Sequence, residues 1–118
     1  MALYHYTTEK RFSSILTGGV FHPSEDTQTD SVYGEGWYLT DLPPGTCEYL
    51  LMQKCWQRTT LYQRVRYYVQ VEVTGGIPVL RRESVYFVAK SPTVQFRLVS
   101  RGATPECCED RTKCINRP

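Results

Sequence analysis

The sequence predicts an α+β domain, because two helical segments are followed by a group of antiparallel strands. Phe12, Ile15 and Leu16 recur at intervals of three and four residues, a spacing typical of one buried helix face. Residues 67–73 alternate valine with polar or aromatic residues, which is the pattern of a half-buried strand. The order is a strand, a helix, two more strands, a second helix and then strands, and this order favours an α+β fold.

The individual elements follow from local signals. Thr7 and Thr8 are candidate caps of the first helix, which the glycines at 18 and 19 end. A second helix is predicted over 47–57, with Thr46 as its cap, after the prolines at 43 and 44 break the preceding strand. Residues 24–32 are polar and aperiodic, which predicts a loop. Strands are predicted at 3–6, 20–21, 37–40, 67–73, 84–89 and 93–99, with a further short strand at 77–80.

Length and composition limit the function classes. A chain of 118 residues, with 41% hydrophobic and 22% charged residues, is the size of one globular domain. A net charge of +2 gives no basic surface for nucleic acid or an anionic membrane. No apolar run approaches the ~20 residues of a membrane span, and no secretory signal is visible, which favours a cytoplasmic location without establishing it. No membrane partner is expected, and the chain is expected to be a monomer. We expect a domain over 1–100 and a polar, cysteine-containing tail over 101–118.

The five cysteines are an odd number, so one chain cannot pair them all. Cys47 and Cys55 fall on the second helix, and Cys107, Cys108 and Cys114 fall in the tail. Partly buried, reduced thiols are expected, and a disulfide that fastens the tail is the alternative. No metal site is predicted, because the chain has no paired CxxC or HxxxH spacing to supply four zinc ligands.

The stretch from Tyr33 to Tyr49 contains the main candidate site. Gly34 and Gly36 allow a tight turn or a close approach to a ligand. Tyr38 on the strand and Tyr49 on the second helix can face each other, and two rings with a slot between them suit a flat heterocycle. His5 ends the first strand just before a helix, a place that suits a ligand-binding side chain.

Several ordered motifs carry a resemblance to a known family. The matching residues are His5-Tyr6-Thr7, Ile15-Leu16-Thr17-Gly18-Gly19-Val20, Pro23-Ser24 and Tyr33-Gly34-Glu35-Gly36-Trp37-Tyr38-Leu39-Thr40-Asp41. They resemble the ADP-ribosyltransferases of the His-Tyr-Glu kind, including poly(ADP-ribose) polymerases and diphtheria-toxin-like enzymes, and in particular the small toxin-type group with a His-Tyr-Asp signature. That family has H-G-[ST], then G-x-G-x-Y-[FL], then a second tyrosine eleven residues later, and Tyr49 stands eleven residues after Tyr38.

The resemblance covers residues 3–99 and implies both fold and activity. It implies an ADP-ribosyltransferase-like fold, in which two small packed antiparallel sheets and two short helices form a cleft for NAD. It implies that His5 binds the ribose next to adenine, while the backbone of Tyr6 holds the nicotinamide amide and Thr7 assists. The chain departs from the family at Tyr6, where glycine is usual.

The resemblance also assigns the second half of the site. Tyr38 and Tyr49 would sandwich the nicotinamide ring. Thr46, three residues before Tyr49, stands where a family serine contacts the carboxamide. Together with His5 and an acid, Tyr38 belongs to the catalytic set that the resemblance implies.

The catalytic acid is assigned to Glu83, with Asp41 as the alternative. Residues 82–88 resemble the family's third motif, in which an acid opens a hydrophobic strand. A carboxylate near the ribose would stabilise the positive charge that develops as the nicotinamide–ribose bond breaks. The His-Tyr-Asp signature has aspartate there, and this chain has glutamate.

The implied function is transfer of ADP-ribose from NAD, used as a substrate, to a protein or nucleic-acid acceptor. An NAD glycohydrolase shares every site residue, and a catalytically inactive NAD- or ADP-ribose-binding module is a further alternative. An RNA-binding module with stacking tyrosines is disfavoured by the low net charge.

Overall fold

A computed structural model describes residues 2–18, 35–56 and 62–105. Its elements are β1 (Leu3–Thr7), α1 (Glu9–Gly18), β2 (Gly36–Thr40), α2 (Glu48–Trp56), a 3-10 turn (Tyr62–Val65), β3 (Tyr67–Thr74), β4 (Val79–Arg82), β5 (Val85–Ala89) and β6 (Gln95–Ala103). Both predicted helices and the strands predicted within these ranges are confirmed, with small shifts at their ends. The predicted strand at 20–21 and the loop at 24–32 lie outside the described residues.

The described strands form one antiparallel sheet of six, in the order β4-β5-β2-β1-β3-β6. The expectation of two packed sheets was therefore wrong in detail. Within this sheet, β1 forms a full ladder with β3, and β2 forms a full ladder with β5. A single residue pair, Tyr4 with Thr40, joins β1 to β2. The sheet thus consists of two three-stranded halves, which are joined at that pair: β4-β5-β2 and β1-β3-β6.

Each face of the sheet packs against one helix. The α1 face carries the buried cluster Leu3, Trp37, Leu39, Val69, Val71 and Val88, together with Ile15 of α1. The opposite α2 face carries the buried cluster Tyr6, Tyr49, Leu51, Met52 and Val65. Because successive side chains of a strand alternate between faces, these two clusters fix the orientation of every residue on β1 and β2.

The first helix begins where its predicted cap stands. The backbone N–H of Arg11 donates to Thr8 Oγ1 at 3.3 Å, and that of Phe12 donates to the Thr8 carbonyl at 2.9 Å. Thr8 is therefore the N-cap. The ring of Phe12 stacks on Tyr67 with centroids 4.8 Å apart, which holds α1 against the sheet.

The second helix begins at Glu48, two residues after its predicted cap. Thr46 Oγ1 instead donates to the Pro43 carbonyl at 2.7 Å, within a tight turn in which Gly45 has a φ of 101°. The left-handed φ at position 45 favours glycine. The Pro43 carbonyl accepts hydrogen bonds from both the hydroxyl and the backbone N–H of Thr46. The hydroxyl therefore closes this turn.

The C-terminal end of α2 is fastened to the β4–β5 turn. The Nε of Arg82 donates to the Lys54 carbonyl at 3.2 Å, and its Nη2 donates to the Cys55 carbonyl. A cation at this end of a helix binds carbonyls that lack intrahelical partners and complements the helix dipole. Burial raises the pKa of the Cys55 thiol to about 12, against an opposing hydrogen bond from Thr40. Cys47 and Cys55 are free thiols, as expected, and the three tail cysteines lie outside the described residues.

Gly36 is required by the close packing of β2 on β5. A Cβ at this position would lie 2.3 Å from the Val88 carbonyl oxygen and 2.6 Å from the Phe87 ring. At the other edge, β6 continues to Ala103, and the backbone N–H of Thr104 donates to the Arg66 carbonyl at 2.8 Å. Neither α1, with 10 residues, nor α2, with 9, has the length that a bilayer-crossing helix needs.

Candidate functional site

The sheet divides between β1 and β2, and we name this division the split. The split is closed at one end by the pair of Tyr4 with Thr40, and the register contains no further pair across it for Tyr6 or Thr7. A side-chain bond spans it instead, because His5 Nδ1 lies 3.2 Å from the carbonyl oxygen of Tyr38. The structure therefore brings the His5 side chain to the backbone of Tyr38 across the split, while the side chains of the two residues project to opposite faces of the sheet.

His5 is held as a neutral imidazole. A carbonyl oxygen can only accept, so Nδ1 carries the proton and Nε2 is the acceptor nitrogen. Burial, together with the positive charge of Arg11, lowers the pKa of His5 from 6.5 to about 4, although the bond to Tyr38 opposes both effects. At neutral pH the ring can therefore exchange hydrogen bonds with a hydroxyl group without carrying a charge.

The side chain of Tyr38 lies on the α2 face. Its neighbours Trp37 and Leu39 belong to the cluster on the α1 face, so Tyr38 projects the other way. Phe87 is its register partner on β5, and the two ring centroids are 5.2 Å apart at an angle of 49°. This contact fixes the tyrosine ring beside the split while leaving the residue partly exposed.

Tyr6 and Tyr49 lie together on that same face. Both belong to the buried cluster under α2, with exposed fractions of 3% and 7%. The Tyr6 hydroxyl donates to the Leu42 carbonyl at 2.8 Å, and burial raises its pKa. The phenol that replaces the family's glycine thus belongs to the same buried cluster as the second predicted stacking ring, and its hydroxyl holds the segment that leads into α2.

The two predicted threonines have different surroundings. Thr7 is 3% exposed, and its Oγ1 is buried without a hydrogen-bond partner in the part of the chain that the structure describes. Thr46 is partly exposed and bonded to the Pro43 carbonyl. An unsatisfied buried hydroxyl is costly, and among the described residues Thr104 Oγ1 shares this state with Thr7 Oγ1.

Both candidate acids lie at the closed end of the split. Glu83 is in the β4–β5 turn, just before Val85, whose partner on β2 is Thr40. Its side chain is 77% exposed and pairs with Lys54 Nζ at 2.7 Å. Asp41 directly follows Thr40 and is exposed. The structure does not bring either carboxylate into the His5–Tyr38 contact.

Sequence reasoning did not single out three residues that shape the site: Arg11, Phe87 and Arg82. The signal for Arg11 was a cation in the first helical turn, four residues before the apolar Ile15. Phe87 was hidden because strand register is needed to place it beside Tyr38. Arg82 was hidden because its carbonyl partners are on a distant helix.

Comparison with known proteins identifies the chain at the level of a family. No curated protein and no solved structure matches it significantly. A family model described as "HYD1 signature containing ADP-ribosyltransferase" (Tox-ART-HYD1) matches residues 3–95, most of the chain and all of the split. The chain therefore belongs to this toxin-type family of ADP-ribosyltransferases.

Proposed function

We propose that the chain binds NAD in the split between β1 and β2, breaks the nicotinamide–ribose bond and transfers ADP-ribose to a macromolecular acceptor. The observation that carries the proposal is the His5–Tyr38 contact at 3.2 Å, across strands that share a single residue pair. Membership of the family supplies the reaction class. The proposal takes residues 1–100 as the catalytic domain and 101–118 as its tail, although β6 continues the sheet to Ala103.

The substrate-binding roles are part of the proposal. His5 would bind the ribose next to adenine, and its neutral state supports a role in hydrogen bonding. The backbone of Tyr6 and the hydroxyls of Thr7 and Thr46 would hold the carboxamide end. The unsatisfied Oγ1 of Thr7 supports a polar ligand at this end of β1.

The nicotinamide ring would lie between Tyr38 and Tyr49. Their common location on the α2 face supports this role, as does the fixed orientation of the Tyr38 ring against Phe87. Offset stacking contributes about 0.5–1.5 kcal/mol per ring pair beyond burial. Such stacking would hold the leaving group in one orientation while the bond breaks.

The reaction separates charge at the ribose. The bond from C1′ to the nicotinamide nitrogen breaks, its electron pair leaves with neutral nicotinamide, and the sugar becomes an oxocarbenium-like cation. An acceptor nucleophile then bonds to C1′ and loses a proton. Glu83 is the proposed carboxylate that stabilises the cation, with Asp41 as the alternative. With Glu83 in this role, its exposed ion pair with Lys54 would open when NAD binds, at little cost in free energy.

The test is incubation of the purified chain with NAD, following free nicotinamide and the mass gained by candidate protein and nucleic-acid acceptors. Release together with mass gain supports the transferase. Release without mass gain identifies an NAD glycohydrolase. Retained NAD binding without release identifies an inactive binding module.

The role of the acid is tested by Glu83→Gln, with Lys54→Gln as the matched control that breaks the same ion pair from the other side. We expect Glu83→Gln to lower nicotinamide release about 100-fold or more while NAD still binds. Lys54→Gln should stay within about twofold of the unaltered chain. Unchanged turnover of Glu83→Gln would remove it from the mechanism, and Asp41→Asn would then be measured in the same assay.

A further inference from the structure

The turn between β4 and β5 has an unusual backbone conformation. Arg82 on β4 is the register partner of Val85 on β5, so only Glu83 and Ser84 connect the two strands. Ser84 has a φ of 63°, and it is the single residue other than glycine with a positive φ in the described parts of the chain. Residues with a Cβ rarely adopt this left-handed region, and a turn that needs it normally places glycine or asparagine there. A strained residue thus stands directly after the proposed catalytic acid.

Contacts on both sides hold the turn in this conformation. Before it, the Arg82 guanidinium donates to the carbonyls of Lys54 and Cys55 at the C-terminal end of α2. After it, Val85 is 2% exposed and pairs with Thr40 of β2. A left-handed serine costs conformational free energy, and it persists only where the surrounding structure fixes the chain around it. These two anchors provide that constraint.

The conformation of Ser84 determines the direction of the Glu83 carboxylate. Its Oε2 lies 2.7 Å from Lys54 Nζ, so the side chain is directed to the C-terminal end of α2. The same helix carries Tyr49, five residues before Lys54. Rotation about the φ bond of Ser84 would move Glu83 relative to β5, because that bond lies between them. The left-handed conformation therefore keeps the carboxylate next to the helix that carries the second proposed stacking ring.

A glycine would meet the steric demand of this turn without strain, so the presence of serine needs another reason. Glycine reaches many backbone conformations, and a glycine turn would leave Glu83 free to take several directions. Serine has fewer conformations, and its anchored neighbours select the left-handed one. A carboxylate stabilises a developing positive charge most when its position is fixed before the reaction. Restricted motion at residue 84 therefore serves the proposed role of Glu83.

We propose that Ser84 is a positioning residue for Glu83, whose carboxylate its left-handed backbone keeps at the end of α2 before NAD binds. Lys54 holds the acid there through an exposed ion pair, which opens at little cost in free energy. This role rests on the proposed function, since it concerns Glu83 as the acid that stabilises the ribose cation. Ser84 acts through its backbone, so glycine can replace it and a β-branched residue cannot.

The experiment measures kcat and KM for nicotinamide release in the unaltered chain and in Ser84→Gly, Ser84→Ala and Ser84→Val. Ser84→Val should lower kcat about 10- to 100-fold through displacement of the acid, while the KM for NAD stays within about twofold. Ser84→Ala should lower kcat by less, and Ser84→Gly should keep most of it. Ser100→Val is the matched control, because Ser100 lies in β6, where the extended backbone suits valine.

A second measurement does not depend on activity. A carbodiimide joins the Lys54 amine to the Glu83 carboxylate as an amide and takes up the water that is lost, and mass spectrometry measures the yield of this crosslink. The unaltered chain and Ser84→Gly should give similar yields. Ser84→Val should lose most of the product, because the carboxylate no longer points to α2.

Three results would overturn the inference: an unchanged kcat in Ser84→Val, an equal loss in Ser84→Gly or Ser100→Val, or a rise in KM that matches the fall in kcat. An equal loss in Ser84→Gly would assign the effect to the hydroxyl, and a matching rise in KM would assign it to a general structural change. If Ser84→Val does not fold, the comparison of Ser84→Ala with Ser84→Gly decides. If the unaltered chain releases no nicotinamide, the proposed function fails, and a crosslink that survives Ser84→Val would then overturn the positioning role as well.

Discussion

His5 Nδ1 and the Tyr38 carbonyl oxygen, 3.2 Å apart, connect the two halves of the sheet where the backbone ladder between β1 and β2 has ended. In a continuous ladder, the Tyr38 carbonyl would accept from a backbone N–H of β1. Here it accepts from the side chain of His5 instead. The bond therefore positions the imidazole of one half against the strand that carries the tyrosine of the other half. Only a substitution of His5 alters this bond directly, because Tyr38 contributes its backbone carbonyl.

The low pKa of His5 predicts a specific pH dependence of stability. The folded chain has a pKa of about 4 at His5, against 6.5 in a model peptide. Between these values the unfolded chain binds a proton that the folded chain does not, so acidification lowers the free energy of unfolding. The contribution is complete above pH 6.5 and is lost as the pH falls toward 4.

His5→Asn tests this, because an amide N–H can still donate to the Tyr38 carbonyl but does not titrate. Urea unfolding at pH 7, 6, 5 and 4 should show the variant losing less stability on acidification, by a difference that approaches about 3 kcal/mol. The comparison between the two chains cancels the carboxylates that titrate in both. Parallel pH profiles would contradict the assigned protonation state.

Removal of the Tyr38 ring should weaken NAD binding. Tyr38→Ala removes one proposed stacking surface, so the Kd for NAD should rise about 2- to 10-fold, whereas Tyr38→Phe keeps the ring and should stay near the original value. Tyr86→Ala is the control, since Tyr86 is the partner of Leu39 and lies on the opposite face of the neighbouring strand. If Tyr86→Ala weakens NAD as much as Tyr38→Ala does, the stacking role is wrong.

The hydroxyl of Tyr6 should contribute to stability. Tyr6→Phe removes its bond to the Leu42 carbonyl and leaves that acceptor poorly satisfied, at a cost of about 0.5–1.5 kcal/mol in urea unfolding. Tyr6→Gly restores the family's residue but empties a side-chain volume inside a buried cluster, so the cost should reach about 3–5 kcal/mol. If Tyr6→Gly is as stable as Tyr6→Phe, the cluster under α2 rearranges to fill the volume of the phenol, and the predicted cavity cost is wrong.

The guanidinium of Arg82 should stabilise α2. Arg82→Ala removes donors to the Lys54 and Cys55 carbonyls, and we expect a loss of about 1–3 kcal/mol in thermal or urea unfolding. Arg81→Ala is a matched neighbour, because its guanidinium is exposed and lies 5.7 Å over the Phe87 ring, a contact worth about 0.5–1 kcal/mol. Equal losses in the two variants would argue against the helix-end role of Arg82.

Local signals in the sequence were enough for the helices and for the set of candidate residues. The apolar spacing of Phe12 and Ile15 and the hydroxyl of Thr8 fixed the first helix, because helix patterns and caps depend on neighbours within four residues. The motif around His5 and the tyrosines eleven residues apart pointed to the family, since motifs are also read along the chain.

The tertiary structure decided which of those residues meet. Three contacts join residues that are 29 to 49 positions apart in the sequence. They are the single pair between β1 and β2, the packing of Phe87 on Tyr38 and the ion pair of Glu83 with Lys54. Strand order and register arise from the burial of both faces at once, and no local pattern specifies them. The sequence therefore determined the chemistry available to this protein, and the packing of two helices on a divided sheet determined where that chemistry is assembled.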